Sequence, residues 1–355
     1  MWRFSDWLEL RSYDLFKWWF LRNQHYIIAA ISNFFQRTGI VKLIIPIASG
    51  KGGVGKSVIT ANLGFSLAKL GHQVIVADLD FGGANLHNYL GLKNNNPGLG
   101  EFLRDRSDSL TNLIVPTFHP NLQFLLGEGA TPFMADLNVM ARRRLLVELH
   151  QLPAEIILLD LSAGCNALTL DFFNTSQTGL LITRPESPSV MNLLEFLRQT
   201  IYHRLLHYLS KDRNLLNQIG NFLFQTINSV PVVTMRDVLQ LISAHHPKIA
   251  KRLQEDLEAR QVRVVFNQVE QQEDLGFWLQ VQALARDQLS CSLESWAQCP
   301  TDPSVSAALK VQTPLVQQGV SKQLLCSLRQ LAKRIQNYWF GSTSKIGIST
   351  DHQDH

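Results

Sequence analysis

Residues 43–57 read Leu43-Ile44-Ile45-Pro46-Ile47-Ala48-Ser49-Gly50-Lys51-Gly52-Gly53-Val54-Gly55-Lys56-Ser57, an apolar run of strand length that opens into a glycine-rich turn. The octapeptide 50–57 has the form of a P-loop, whose glycines let backbone N–H groups close around phosphate oxygens. In such a loop Lys56 serves the β- and γ-phosphates and Ser57 the Mg²⁺ ion. Residues 57–71 follow with apolar residues at helical spacing and a closing glycine, Gly71. Strand, loop and helix in that order put the phosphates at a helix N-terminus. Lys51 is surplus to this cradle. A second fixed cation beside a triphosphate points to a role in trans, across a dimer.

Two more short apolar runs end in acid. Val74-Ile75-Val76-Ala77-Asp78-Leu79-Asp80 closes on two carboxylates, and Ile156-Ile157-Leu158-Leu159-Asp160 leads into Ser162-Ala163-Gly164. Carboxylates at strand ends beside phosphates suit ligation of Mg²⁺ waters or activation of an attacking water. Gly164 is placed to approach a γ-phosphate. Three strands delivering phosphate or metal chemistry at one edge imply an α/β fold, a mostly parallel twisted sheet flanked by helices, with its ligand at the carboxyl ends of the strands.

With these residues in view, the chain resembles the deviant-Walker-A ATPases MinD, ParA and FlhG over roughly residues 43–335, and the MinD and FlhG branch most of all. Lys51 matches the signature lysine of that family. Asp78 and Asp80 with Asn85-Leu86 resemble its second motif, and Asp160 with Gly164 its Walker B and switch II. Leu181-Ile182-Thr183-Arg184-Pro185-Glu186-Ser187-Pro188-Ser189-Val190 is similar to the Pro-Glu segment of the MinD and FlhG branch, although Arg184 replaces the usual Thr. Val58 stands where many relatives carry a second hydroxyl for the α-phosphate. The resemblance implies an adenine side made by Asn267, at the end of Val264–Val269, and by the loop Pro300-Thr301-Asp302. It further implies ATP and Mg²⁺ as ligands, with the phosphates in the loop Gly50, Lys51, Gly52, Gly53, Val54, Gly55, Lys56, Ser57 and Val58. Ser57, Asp78 and Asp160 then serve the metal, Asp80 positions or deprotonates the attacking water, and Lys51 reaches the partner's phosphates. The expected function is a slow ATPase working as a dimerisation switch, stimulated by a partner protein, that positions a division, flagellar or polar structure. A ParA-like partitioning protein that grips DNA, and a scaffold with a structural nucleotide, are the other readings.

Composition is consistent with this. Apolar residues make up 45% of the 355 residues, ample for a large core, and the net charge of +4 permits contact with anionic lipid or DNA without requiring it. Cys165, Cys291, Cys299 and Cys326 form no Cys-x-x-Cys pair, which argues against an iron–sulfur carrier and fits a reducing cytoplasm. No apolar run reaches the ~18 residues of a membrane span. No signal peptide is evident.

Around the ATPase domain, placed at 42–341, three segments stand out. Residues 1–41 hold Trp2, Trp7, Trp18 and Trp19, four of the seven tryptophans, and read as short amphipathic helices. They suit either membrane-surface contact or packing on the core or a partner. Residues 200–262 read as a helical insert in which His245-His246 are surface histidines, and Arg142-Arg143-Arg144 read as a solvated helix face. The final helix, 321–340, is either an ordinary core helix or a degenerate membrane-targeting helix. Residues 342–355 are polar and expected to be disordered.

Overall fold

In the computed structural model the described residues run from 42 to 341, excluding 94, 105–106, 108, 128–136, 138, 224–225, 228–229, 232–233, 271–275 and 318–321. The expectations for 1–41 and 342–355 therefore lie outside the described residues.

The apolar runs become strands of one eight-stranded sheet. In chain order these are β1 (Leu43–Ser49), β2 (Val74–Leu79), β3 (Ile114–Pro116), β4 (Leu122–Leu125), β5 (Ile156–Ala163) and β6 (Leu180–Thr183). A separate short hairpin supplies β7 (Thr226–Ile227) and β8 (Val230–Pro231), and the sheet is completed by β9 (Gln261–Val269) and β10 (Ser292–Pro300). The sheet order is β10-β9-β6-β1-β5-β2-β4-β3. All pairs are parallel except β3 with β4 at one edge. Every residue of β1 and β2 is buried. Near-continuous Val, Ile and Leu is what a parallel strand covered on both faces requires.

Helices close both faces. On one lie α1 (Lys56–Lys69), α2 (Leu86–Tyr89), the later α11 (Ser304–Lys310) and α12 (Lys322–Trp339), whose apolar residues share a core with Ile45, Ile47 and Leu158. On the other lie α3 (Leu99–Leu103), α4 (Val139–Gln151), α5 (Ala167–Asn174), α6 (Ser187–Tyr208), α7 (Arg213–Leu223), α8 (Met235–His245), α9 (Pro247–Glu258) and α10 (Trp278–Leu289), packed with Ile157 and Leu159. Alternate residues of β5 thus feed opposite cores, as the period of two dictates.

The segment 200–262 begins inside α6, a single 22-residue helix, and contains the hairpin as well as α7 to α9. In α12, Leu324, Leu328, Leu331 and Ile335 are buried in the core, so its apolar face is occupied. At its end Trp339 and Tyr338 enclose the Arg263 guanidinium, 4.8 and 5.0 Å from their ring centroids. Within the arginine triplet, Arg144 is exposed as a solvated face requires, whereas Arg142 is half-buried. Arg142 is ion-paired to Asp171, and Arg144 lies 4.2 Å over the Phe102 ring. The opposite charge of Asp171, far away in sequence, draws Arg142 inward, while Arg144 covers the Phe102 ring from the solvent side.

Candidate functional site

The loop 50–55 joins the carboxyl end of β1 to α1. Gly53 and Gly55 have φ of 79° and 83°, the left-handed region that costs glycine little. Gly55 is the N-cap of α1, and no side chain caps this helix. Its first N–H groups are therefore left for a ligand, with the positive end of the helix dipole behind them. A Cβ on Gly55 would land on the Asn267 amide, and a Cβ on Gly50 would land on the Asn192 carbonyl of α6. Gly50→Ala should accordingly lower stability by about 1–3 kcal/mol, because the obstacle is backbone that can yield only by moving α6. Chemical denaturation reads this directly.

Lys56 opens α1 and turns inward. It is 7% exposed, and its ammonium donates to Asp160 Oδ1 at 2.7 Å. The same oxygen accepts from the Thr60 hydroxyl at 3.0 Å. Asp160 sits on β5 between β1 and β2, in register with Ile47 on one side and Asp78 on the other. Asp78 is wholly buried and accepts backbone N–H bonds from Asp80 at 3.0 Å and from Leu86 at 3.1 Å. Asp80 lies at the strand end, where the Ser162 hydroxyl donates to its Oδ1 at 3.0 Å. Gly164 turns away just beyond, its N–H donating to the Ser49 carbonyl at 2.9 Å.

Two buried carboxylates thus share one buried ammonium. Burial, aided by the Asp160 charge, pushes Asp78 from 3.8 up to about 7. The folded chain holds this proton where the unfolded chain has lost it. Stability therefore falls as the pH rises from about 4 to about 7, and the penalty persists above that. A divalent cation that replaced the proton would relieve it. If a magnesium nucleotide is the ligand of this centre, its binding should release up to one proton near neutral pH, a release that Asp78→Asn abolishes. Titration calorimetry in buffers of different ionisation enthalpy measures it, and heats independent of buffer would contradict it.

The remaining residues flank this centre. Lys51 stands at the mouth of the loop, 3.9 Å from Glu186, which also pairs with Arg184 at 2.5 Å. Val54 is buried and Val58 packs into the core. The Asn267 amide donates to the Val54 carbonyl at 2.9 Å, so the end of β9 is tied directly to the loop. Pro300 ends β10 beside it, in register with Val269. Asp302 accepts from the Ser304 N–H at 2.9 Å and hydroxyl at 2.6 Å at the start of α11. Thr60 and Ser162 were not anticipated. Thr60, one turn after Lys56, was the legible one of the two, since positions four apart share a helix face.

A family model described as the CobQ/CobB/MinD/ParA nucleotide binding domain matches residues 45–315. The flagellum site-determining protein YlxH of Helicobacter pylori is 31% identical over 160 residues, 44% of this chain and 53% of that protein. The septum site-determining protein MinD of Synechocystis is 34% identical over 148 residues, 41% of this chain and 55% of that protein. The chain thus spans about half the length of these two relatives. Among solved structures, the septum site-determining protein MinD from Pyrococcus horikoshii, complexed with Mg-ADP, superposes with a TM-score of 0.54 at 20% identity, covering 84% of this chain and 97% of that one. That likeness is one of fold.

Proposed function

Because the chain belongs to the CobQ/CobB/MinD/ParA nucleotide-binding family, we propose that it is a MinD/FlhG-like ATPase that switches between monomer and dimer to position a cellular structure. The observation that carries this reading is the buried charge imbalance of Lys56 against Asp78 and Asp160, placed under an uncapped helix N-terminus. It supplies cation and amides for phosphate, and a surplus of negative charge for a divalent ion.

In this reading the loop amides and Lys56 hold the phosphates, and Ser57, Asp78 and Asp160 are the residues that hold Mg²⁺. The ion, when bound, neutralises charge on the phosphates. Asp80 orients or deprotonates the attacking water, its carboxylate steadied by Ser162. Asn267, Pro300 and Asp302 form the adenine side, where β9 and β10 end beside the loop. Lys51 acts on the phosphates of the second protomer. An activating partner protein then sets the rate, since the output of such a switch is a shift in population rather than product. The positioning role follows the flagellum and septum relatives by analogy.

Steady-state turnover of the full chain and of Asp80→Ala tests the proposal. Slow hydrolysis by the wild type should fall by about 10²–10⁴-fold in the variant, with nucleotide affinity kept. Nucleotide binding with no measurable turnover in either would instead mark a scaffold.

A further inference from the structure

Away from the phosphate site, α5 and α6 bring three side chains to one point. His203 and His207 lie one turn apart on α6, so both rings leave the same face. Asp171 on α5 faces them, with Oδ1 3.4 Å from His203 Nε2 and 3.8 Å from His207 Nε2. Among the described residues these are the one group of His, Cys, Asp or Glu with three ligand atoms all within 4.8 Å of one another. We infer that Asp171, His203 and His207 form a transition-metal site, suited to Zn²⁺, that bridges α5 and α6.

The geometry is close to what Zn²⁺ requires. With bonds of about 2.0–2.1 Å, neighbouring donors of a tetrahedral site lie about 3.3 Å apart. Both Asp171 contacts are within half an ångström of that spacing. Two imidazoles and one carboxylate select zinc-class ions over Mg²⁺ or Ca²⁺, which take oxygen donors. Arg142 occupies the other carboxylate oxygen and fixes the orientation of Asp171, as the outer partners of metal ligands do. Its positive charge tempers affinity without taking Oδ1. The His207 side chain is 45% exposed, against 14% for His203. The ion has a way in, and a fourth position remains for water. Neutral imidazole and ionised carboxylate are the forms that ligate.

The position gives the site a consequence. Helix α5 starts just after the Gly164 turn, and α6 starts just after Glu186 and passes Asn192 against Gly50. A metal bound there fastens together two helices that both begin at the edge of the phosphate site.

The test uses the full chain, freed of metal by chelation and then held in excess Mg²⁺ so that the nucleotide site does not report. Co²⁺ serves as the spectroscopic probe and Zn²⁺ as the competitor. The expected result is one equivalent of Co²⁺ with tetrahedral visible bands, displaced by Zn²⁺, and a higher melting temperature with Zn²⁺. His207→Gln, at a half-exposed position, and Asp171→Asn should each weaken binding at least about tenfold. His245→Gln, a surface control, should not. No saturable binding by the wild type, or equal binding by the wild type, His207→Gln and Asp171→Asn, would overturn the site.

Discussion

Lys56→Ala should abolish nucleotide binding and also destabilise the free protein, two losses with one cause. Among the described residues the ammonium is the one cation bonded to Asp160, and Asp160 stands in register with the wholly buried Asp78. Its removal leaves two carboxylates facing one another without a countercharge. Breaking a buried pair from one side costs about 3–5 kcal/mol when the remaining charge stays ionised. Here one of the acids can take up a proton instead, and the raised Asp78 pKa marks how readily it does so. The stability loss should therefore shrink at low pH, where protonation relieves the repulsion, and grow towards pH 8. Denaturant titrations of wild type and variant at pH 5.5 and pH 8 distinguish this from a plain packing defect, which would be independent of pH. For the ligand, the variant would lose the proposed phosphate contact together with the cation that orders Asp160, so affinity for a fluorescent ATP analogue should fall by at least about 100-fold, some 2.7 kcal/mol. Affinity within tenfold of the wild type would refute the phosphate role of Lys56.

Much of this architecture was legible because the chemistry sits where strands end. Parallel strands buried on both faces must be apolar along their length, so β1, β2 and β5 announce themselves, and the acids that break each run mark the sheet edge. The edge strands are less visible. In β10, Glu294 and Ser295 interrupt the apolar pattern, because an edge strand has solvent on one side, and its buried residues Leu293, Trp296 and Cys299 fall every third position rather than every second. β3 has only three residues and pairs antiparallel with β4. Such a strand carries no periodicity to read.

What could not be read was the pairing of charges between distant elements. Arg142 and Asp171, or Lys51 and Glu186, meet only because α4, α5 and α6 share a face of the sheet and because α6 starts near the loop. The triplet Arg142–Arg144 looks solvated on a helical wheel, and Arg144 is exposed, yet Arg142 is drawn inward by Asp171. The His203–His207 pair had the right spacing for a metal. Its third donor comes from another helix, so the cluster exists only in the fold.

Lys51→Ala should leave the monomer intact and remove the switch. The contact of Lys51 with Glu186 is long, 3.9 Å, and both side chains are a third or more exposed, 33% and 41%. Such a pair is worth well under 1 kcal/mol once water and salt screen it. Glu186 keeps Arg184 at 2.5 Å in any case. The variant should therefore melt within about 2 °C of the wild type and bind ATP nearly as well, because Lys56 and the loop amides remain. If Lys51 reaches the phosphates of a second protomer, its loss falls on what only the dimer does. Sedimentation with ATP should show a dimer for the wild type and a monomer for the variant, and turnover should drop by about 10³-fold or more, the range of a cation supplied in trans. Glu186→Gln separates the alternatives. If Glu186 holds Lys51 back in the monomer, this variant should dimerise at lower ATP. If Lys51 serves only its own loop, Glu186→Gln should leave dimerisation unchanged, and Lys51→Ala should weaken ATP binding itself while dimerising as the wild type does. That combination would remove Lys51 from the interface and leave the extra lysine as a local phosphate contact.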